Sequence, residues 1–364
     1  MMVAWIGSRT VPLPAAIEQA AKLLAKSRCP VFSLDSDIHG CRCLIALAEQ
    51  VGATYDHVNG RDLVHQVALH TDIGGFFGTA TEVQRRADVI VVVGDVPAAH
   101  HDLLLSLAAT TPDLPRSGKR RWFHIKGRAT AALSGELRRR AKVVDAGSSD
   151  LPIDAVLGVL RASLAARKAS VVLDNIDAFL GAVANAGFPV FVFSHFGDAA
   201  SLTMLQGMLI DINKKQRATA LFLPSDDAAW GMVLASTWMT GFPPRTGFSS
   251  GSPVYDPWLC DVDRMIAGKE ADLHLWVSER DDVDPPRRSG LPTIVLTRSD
   301  RPVAGAAVAI RIGKAGLDHD GVVYSSRIGT LRSAAAKAPS DLPSVYAIVE
   351  QLQHALQGED VASC

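Results

Sequence analysis

Apolar residues recur along the chain in two rhythms. In "PAAIEQAAKLLAKS" (14–27), Ile17, Ala20, Ala21 and Leu24 fall at the i, i+3, i+4, i+7 positions of one helix face, with Pro14 near the first turn. "RCLIALAEQVG" repeats that spacing through Leu44, Leu47, Ala48 and Val51, and Gly52 suits the end of the helix. Between them "CPVFSL" is a short apolar run, and after the second helix the chain leads into another short strand. The alternation continues. "TEVQRRA", residues 151–166, "DNIDAFLGAVANAG" and the stretch through Trp230 and Leu234 predict helices. "DVIVVVGD", "RWFHIK", "KVVDAG", "PVFVFSH", "TALFL", "ADLHLWV", "PTIVLT" and "AAVAIRI" predict strands. Strands apolar along their length and separated by helices mean parallel sheets covered on both faces. The predicted fold is therefore α/β, with two doubly wound parallel-sheet domains. The Gly/Pro/Ser-rich stretch "TGFPPRTGFSSGSPVYDP" (240–257) is the best linker between them.

Composition narrows the class. A chain of 364 residues has room for two or three domains, and 48% hydrophobic residues are ample for full cores. The net charge of −1 gives no electrostatic case for nucleic acid or an anionic membrane. Five cysteines (Cys29, Cys41, Cys43, Cys260, Cys364) are odd in number and lack the spacing of a disulfide framework. No secretory signal opens the chain and no apolar run is long enough to span a bilayer, so the expected location is cytoplasmic.

Candidate chemistry is sparse. "YDHVNGRDLVHQ" (55–66) turns sharply polar after an apolar run and carries two histidines, two aspartates and an arginine, the composition of a site. Cys41-x-Cys43 could offer two thiolates to a metal, but no second pair sits at a suitable spacing, and i and i+2 point apart on a helix; buried inert thiols fit better. "FSHFGDAAS" (193–201) ends a strand and opens a helix, where α/β sheets bind ligands. It is not a G-x-S-x-G elbow, and adjacent residues such as Ser194 and His195 seldom make a nucleophile–base pair. "GDVPAAHHD" (94–102) places Pro97 and the His100–His101 pair at the end of a strong strand, a location that favours a ligand. No G-x-G-x-x-G or Walker A sequence occurs.

These pieces fall in the order of a known family. Through "AWIGSRTVPLPAAIEQAAKLL", "ADVIVVVGDVPAAHH", "WMTGFP", "DVDRMIAGKEADLHLWVSERD", "PTIVLT" and "GVVYSSRIGTLR", the chain from about Ala4 to Leu352 resembles the B subunits of formylmethanofuran dehydrogenases, in the molybdopterin oxidoreductase superfamily. Within it the likeness is greatest to the B subunits of bacterial formyltransferase/hydrolase complexes. The resemblance implies one-carbon oxidation on tetrahydromethanopterin and methanofuran-type carriers. It also implies a discontinuous layout: 1–57 with 243–335 as one α/β domain, 58–242 as the other, and 336–364 as a returning tail. Strands around Val31 and Ile294 would then share a sheet.

The family's archaeal members hold a 4Fe–4S cluster and a tungsten or molybdenum bis-pterin. The positions matching that apparatus are altered here. The cluster's cysteines precede the first helix in the family, and that segment is expected to be lacking. Asp62 stands where the metal's cysteine ligand would be, with Leu63-Val64 in place of His-Gly. The G-x-N-P turn reads Gly94-Asp95-Val96-Pro97, and Asn-x-x-Gly reads Ala228-Ala229-Trp230-Gly231. Loss of an asparagine removes hydrogen bonds a pterin needs, about 1–3 kcal/mol for each group left unpaired. The resemblance thus implies a vestigial cleft marked by Val96, Pro97, His101, His195, Trp230 and Gly231, with no catalytic residue, metal or cofactor. The expected role is a non-redox, structural subunit, with amidohydrolase-type hydrolase, formyltransferase and third structural subunits as partners. A methanofuran-type carrier could touch the emptied cleft near His100, His101 and His195. The alternative is a reduced formylmethanofuran or formate dehydrogenase with Asp62 as a metal ligand.

Overall fold

The chain makes three passes, and the computed structural model describes residues 4–113, 119–281, 283 and 290–362, without the side chains of Asp62 and 359–362. The first pass holds β1 (Ala4–Ile6), β2 (Arg9–Val11), α1 (Leu13–Lys26), β3 (Pro30–Asp35), α2 (Ile38–Gln50) and β4 (Thr54–His57). The second holds α3 (Val64–Ile73), α4 (Ala80–Arg86), β5 (Val89–Val93), α5 (His101–Ala109), β6 (Arg121–Lys126) and α6 (Gly135–Ala141). It continues through β7 (Val144–Gly147), α7 (Ile153–Leu164), α8 (Ile176–Ala184), β8 (Pro189–Phe193), α9 (Ala199–Asn213) and β9 (Thr219–Phe222). The third holds α10 (Asp227–Thr240), β10 (Thr246–Gly247), β11 (Val254–Tyr255), α11 (Val262–Ala267), β12 (Leu273–Ser278) and β13 (Thr293–Thr297). It ends with β14 (Val308–Arg311), β15 (Gly321–Ser325), β16 (Thr330–Ala334) and α12 (Val345–Ala362).

Residues up to Gly60, Asp227–Tyr324 and those from Leu331 onward gather into one compact unit; Arg61–Asp226 with Ser325–Thr330 form the other. The first unit's sheet runs β11-β10-β4-β3-β12-β13-β14-β1-β2. Its five inner strands are parallel, and short antiparallel strands close each edge. Val31 in β3 and Ile294 in β13 both flank β12 in this sheet. α1 lays Ala16, Ile17, Ala20, Ala21 and Leu24 on it, the stripe visible in the sequence. α2, α10 and α12 join the same core through Leu44, Met232, Ala235, Ile348 and Leu352. Each large side chain fully buried this way contributes about 1.5–3 kcal/mol. The division falls at 226/227 rather than in the Gly/Pro/Ser-rich stretch. The reason is that α10 buries Met232 and Ala235 beside α2, while Gly231 lets it approach Ile38 and Tyr324.

The second unit's sheet runs β7-β6-β5-β8-β9, parallel throughout. One face packs on α7, α8 and α9 through Val156, Phe179 and Leu205, the other on α4, α5 and α6 through Val83, Leu104 and Leu137. Burial on both faces explains why β5 and β8 read as unbroken apolar runs.

Candidate functional site

Open parallel sheets hold ligands outside the carboxyl ends of their strands, where strand order reverses. In the first unit that point lies between β3 and β12: the chain continues from β3 to β4 on one side and from β12 to β13 on the other. Asp35 and Ser278, the last residues of these strands, are direct partners in the register, and Ser278 Oγ donates to Asp35 Oδ2 at 2.9 Å. His57 closes β4 with its Nε2 3.7 Å from Asp35 Oδ1. The backbone N–H of Asn59 donates to His57 Nδ1 at 2.9 Å, so that nitrogen carries the lone pair and Nε2 faces the carboxylate. Burial pushes the Asp35 carboxyl up, but His57, Ser278 and Arg280 together outweigh it and hold the group below its ordinary value.

One residue further along, the pattern repeats. Ser36 Oγ donates to Glu279 Oε1, and the N–H of Ala315 donates to Glu279 Oε2 at 3.1 Å. Burial, with the charge of Asp37 beside it, raises the Glu279 carboxyl. Asp37 caps α2 by accepting from the N–H of Gly40 at 2.8 Å, and its other oxygen accepts from the N–H of Val322 at 3.0 Å. Asp35, Asp37 and Glu279 are all buried, and each is spent on the unit's own donors. Each of the three accepts at least one hydrogen bond from its own unit.

The polar stretch 55–66 is split by its strand. Tyr55, Asp56 and His57 are buried in β4, with alternate side chains on opposite faces of the sheet. Tyr55 Oη lies 2.7 Å from Ser236 Oγ. Asp56 accepts from Arg245 Nε at 3.1 Å, and the same guanidinium meets Asp261 at 2.9 Å. Because one cation serves two carboxylates, burial prevails over Arg245 and pushes Asp56 up to about 7. This triad braces the β4–β10 edge rather than forming an opening.

In the second unit the reversal falls between β5 and β8. Val96, Pro97, His100 and His101 follow β5, while Ser194 and His195 follow β8, so one sheet edge gathers them. Their environments differ. His100 is buried and tethered, its Nε2 2.6 Å from the Pro224 carbonyl oxygen and its Nδ1 3.3 Å from Ser326 Oγ. His101 is half-buried with Nε2 3.4 Å from Ser134 Oγ. Ser194 is buried while His195 is exposed, so the two do not form a nucleophile–base pair. Behind them His124, buried in β6, sets Nε2 3.0 Å from the Gly94 carbonyl oxygen; burial lowers its basicity.

Trp230 and Gly231 belong to α10 in the first unit, where Trp230 is half-buried and Gly231 buried. Asp62 ends a single 3-10 turn (Gly60–Asp62), and its side chain lies outside the described residues. Leu63 is buried, and its side chain offers no donor atom. Ala228 and Ala229 carry only methyl side chains. Cys41 and Cys43 are both buried, and burial raises both thiols, Cys43 to about 12, so neither is a thiolate near neutral pH.

The buried carboxylates are the part that sequence patterns alone did not single out. Their signal was available: an acidic residue ending an apolar strand run, as in "VFSLD" and "LWVSE".

No protein family model matches the chain. It is 31% identical over 348 residues to the B subunit of the formyltransferase/hydrolase complex (Fhc) of Methylorubrum extorquens, covering 94% of each chain. It is 24% identical over 347 residues to the B subunit of a tungsten-containing formylmethanofuran dehydrogenase of Methanocaldococcus jannaschii, covering 87% of this chain and 77% of that one. A crystal structure of the formyltransferase/hydrolase complex (FhcABCD) from Methylorubrum extorquens with methylofuran contains a chain that superposes with a TM-score of 0.86. The match has 28% identity and covers 98% of this chain and 99% of that one.

Proposed function

The chain belongs to the family of formyltransferase/hydrolase complex B subunits, and we propose that within such a complex it is a non-redox, structural subunit. Its partners would be an amidohydrolase-type hydrolase, a formyltransferase and a third structural subunit. In this reading a formyl group passes from formyl-tetrahydromethanopterin to the amine of a methanofuran-type carrier. Water then cleaves the resulting amide on a partner, releasing formate and regenerating the amine. The layout would be that of molybdopterin oxidoreductases.

The observation that carries this reading is that the carboxylates at the first unit's crevice are hydrogen-bonded by that unit's own donors. Asp35, Asp37 and Glu279 accept from Ser278, Gly40, Val322, Ser36 and Ala315, all groups of the same unit. The donor set at the family's metal and pterin positions points the same way. Leu63 in place of the histidine and Ala228 in place of the asparagine supply no heteroatom from their side chains, so these positions do not fit a bis-pterin metal group. The 24% identity to a tungsten-containing relative keeps a second reading, in which Asp62 ligates tungsten or molybdenum. Elemental analysis of the purified complex decides between them. The structural reading expects tungsten and molybdenum far below one atom per chain, with formate production intact. One metal per chain, with dye reduction by formate, would establish the second.

A further inference from the structure

The second unit has electrically unlike edges. Helices that return from the carboxyl edge of a parallel sheet all end at its amino edge. Acids open them, with Glu82, Asp102, Glu136, Asp154 and Asp177 in first turns. Bases crowd the other end. A groove of about 550 Å³ at the starts of β6 and β7 is lined by Lys119, Arg120, Arg121, Arg140 and Lys142, with no carboxylate among its lining residues. Arg120 there is structural, donating to carbonyl oxygens at the ends of α4 and α5. A second groove, about 850 Å³, lies where α7, α8 and α9 end, and Arg161, Arg167, Lys214 and Lys215 line it beside Asp211.

Helix dipoles explain part of this, not all. Three helix ends carry about half a negative charge each, and Asp211 adds one. Four cations line the groove, Arg161, Arg167, Lys214 and Lys215, and Lys168 and Arg217 directly follow the lining residues Arg167 and Gln216 in the chain, making six. Helix ends and Asp211 together thus offset fewer than half of them. Asp211 is already shared by Arg161 and Lys214, at 2.8 Å from each. Among the described residues no carboxylate pairs with Arg167, Lys168 or Lys215, all of them exposed. In a chain of net charge −1 this is a concentrated, uncompensated field.

We propose that this amino edge of the second unit is a docking face for an acidic surface of a partner subunit, an inference that rests on the assembly role proposed above. Cations lining two grooves along one edge would steer an acidic partner and fix its register, contributing more to association rate and partner choice than to buried area. Folding leaves Arg167, Lys168 and Lys215 without a carboxylate partner among the described residues. An acidic partner gives them one.

The test uses the full chain co-expressed with its hydrolase, transferase and third subunits. The triple variant Arg167→Glu/Lys168→Glu/Lys215→Glu is compared with its Gln counterpart and with Arg9→Glu/Lys26→Glu/Arg28→Glu on the first unit. Affinity is followed from low salt to about 0.5 M, across which the Debye length falls below ~8 Å. The expected result is a loss of about tenfold or more for the Glu triple at low salt, an intermediate loss for the Gln triple, and none for the first-unit triple. Wild-type affinity should fall with salt, and thermal melts of the variants should match it. A Glu triple that assembles with wild-type affinity and salt dependence overturns the docking face and leaves the assembly role standing. A wild-type chain that joins none of these partners overturns both. Nucleic acid that co-purifies with wild type and is lost from the Glu triple, at unchanged partner affinity, also overturns it.

Discussion

Ser278 and Asp35 face each other at the ends of two neighbouring parallel strands, joined by a 2.9 Å hydrogen bond across the point where strand order reverses. In a ligand-binding sheet those two positions would meet a ligand; here they meet each other. Asp35→Ala would strand the buried Ser278 hydroxyl and leave His57 without its carboxylate, so it should cost about 1–3 kcal/mol. Denaturant unfolding of the complex-bound or chaperone-refolded chain measures this. Because the folded Asp35 carboxyl lies below its ordinary value, its contribution is present above the unfolded value and is lost as pH falls through the folded one. The cost of the substitution should therefore shrink in acid.

Asp56 has the opposite sign. Burial pushes it up to about 7 against the pull of Arg245. A carboxyl raised in the folded state contributes stability that is complete below about pH 3.9, the unfolded value, and fades as pH rises through the folded one. Wild-type stability should decline from about pH 4 to about pH 7, with Glu279, also raised, adding in the same direction. In Asp56→Asn the decline should be shallower. An unchanged slope would mean that Arg245 holds Asp56 ionised throughout.

Asp62 should be dispensable. Its replacement by Ala removes no transition-state contact in the structural reading, so formate production by the intact complex should stay within about twofold. A hundredfold drop with assembly preserved would instead make it catalytic.

Much of this fold was legible because burial imposes simple periods. Ile17, Ala20, Ala21 and Leu24 are the face α1 lays on its sheet, and the apolar runs at 89–93 and 189–193 are fully covered strands. Other parts were not legible for physical reasons. α10 is apolar around its whole circumference, so its sequence names no face and does not reveal that it packs with the first unit. β10 and β11 are two residues long, too short for any period. The site suffered from the same locality. Asp35 and Ser278, or Asp56 and Arg245, are far apart in sequence, and only the sheet brings them together. α12 was a missed opportunity, since Val345, Ile348, Val349, Leu352 and Leu356 do mark one helical stripe.

The chain should behave as an obligate partner rather than a free protein. The first unit exposes Trp238 at 58%, Trp258 at 64% and Leu259 at 54%, with Met239 and Phe242 also exposed after Trp238. Phe242 stacks on Tyr255, which extends this apolar surface from the end of α10 to the edge strand β11. Such surface is costly in water at about 25 cal/mol per Å², and a net charge of −1 supplies little repulsion to keep copies apart. Expression alone should give aggregated or poorly soluble protein, and co-expression with the hydrolase and transferase subunits should rescue it. Deleting the chain should abolish assembly before it alters the chemistry of any isolated partner. Size-exclusion chromatography of single- and co-expressed material reads both outcomes. A monodisperse, soluble monomer that stays stable without partners would count against an obligate subunit, and Trp238→Ser/Trp258→Ser would then leave solubility unchanged instead of raising it.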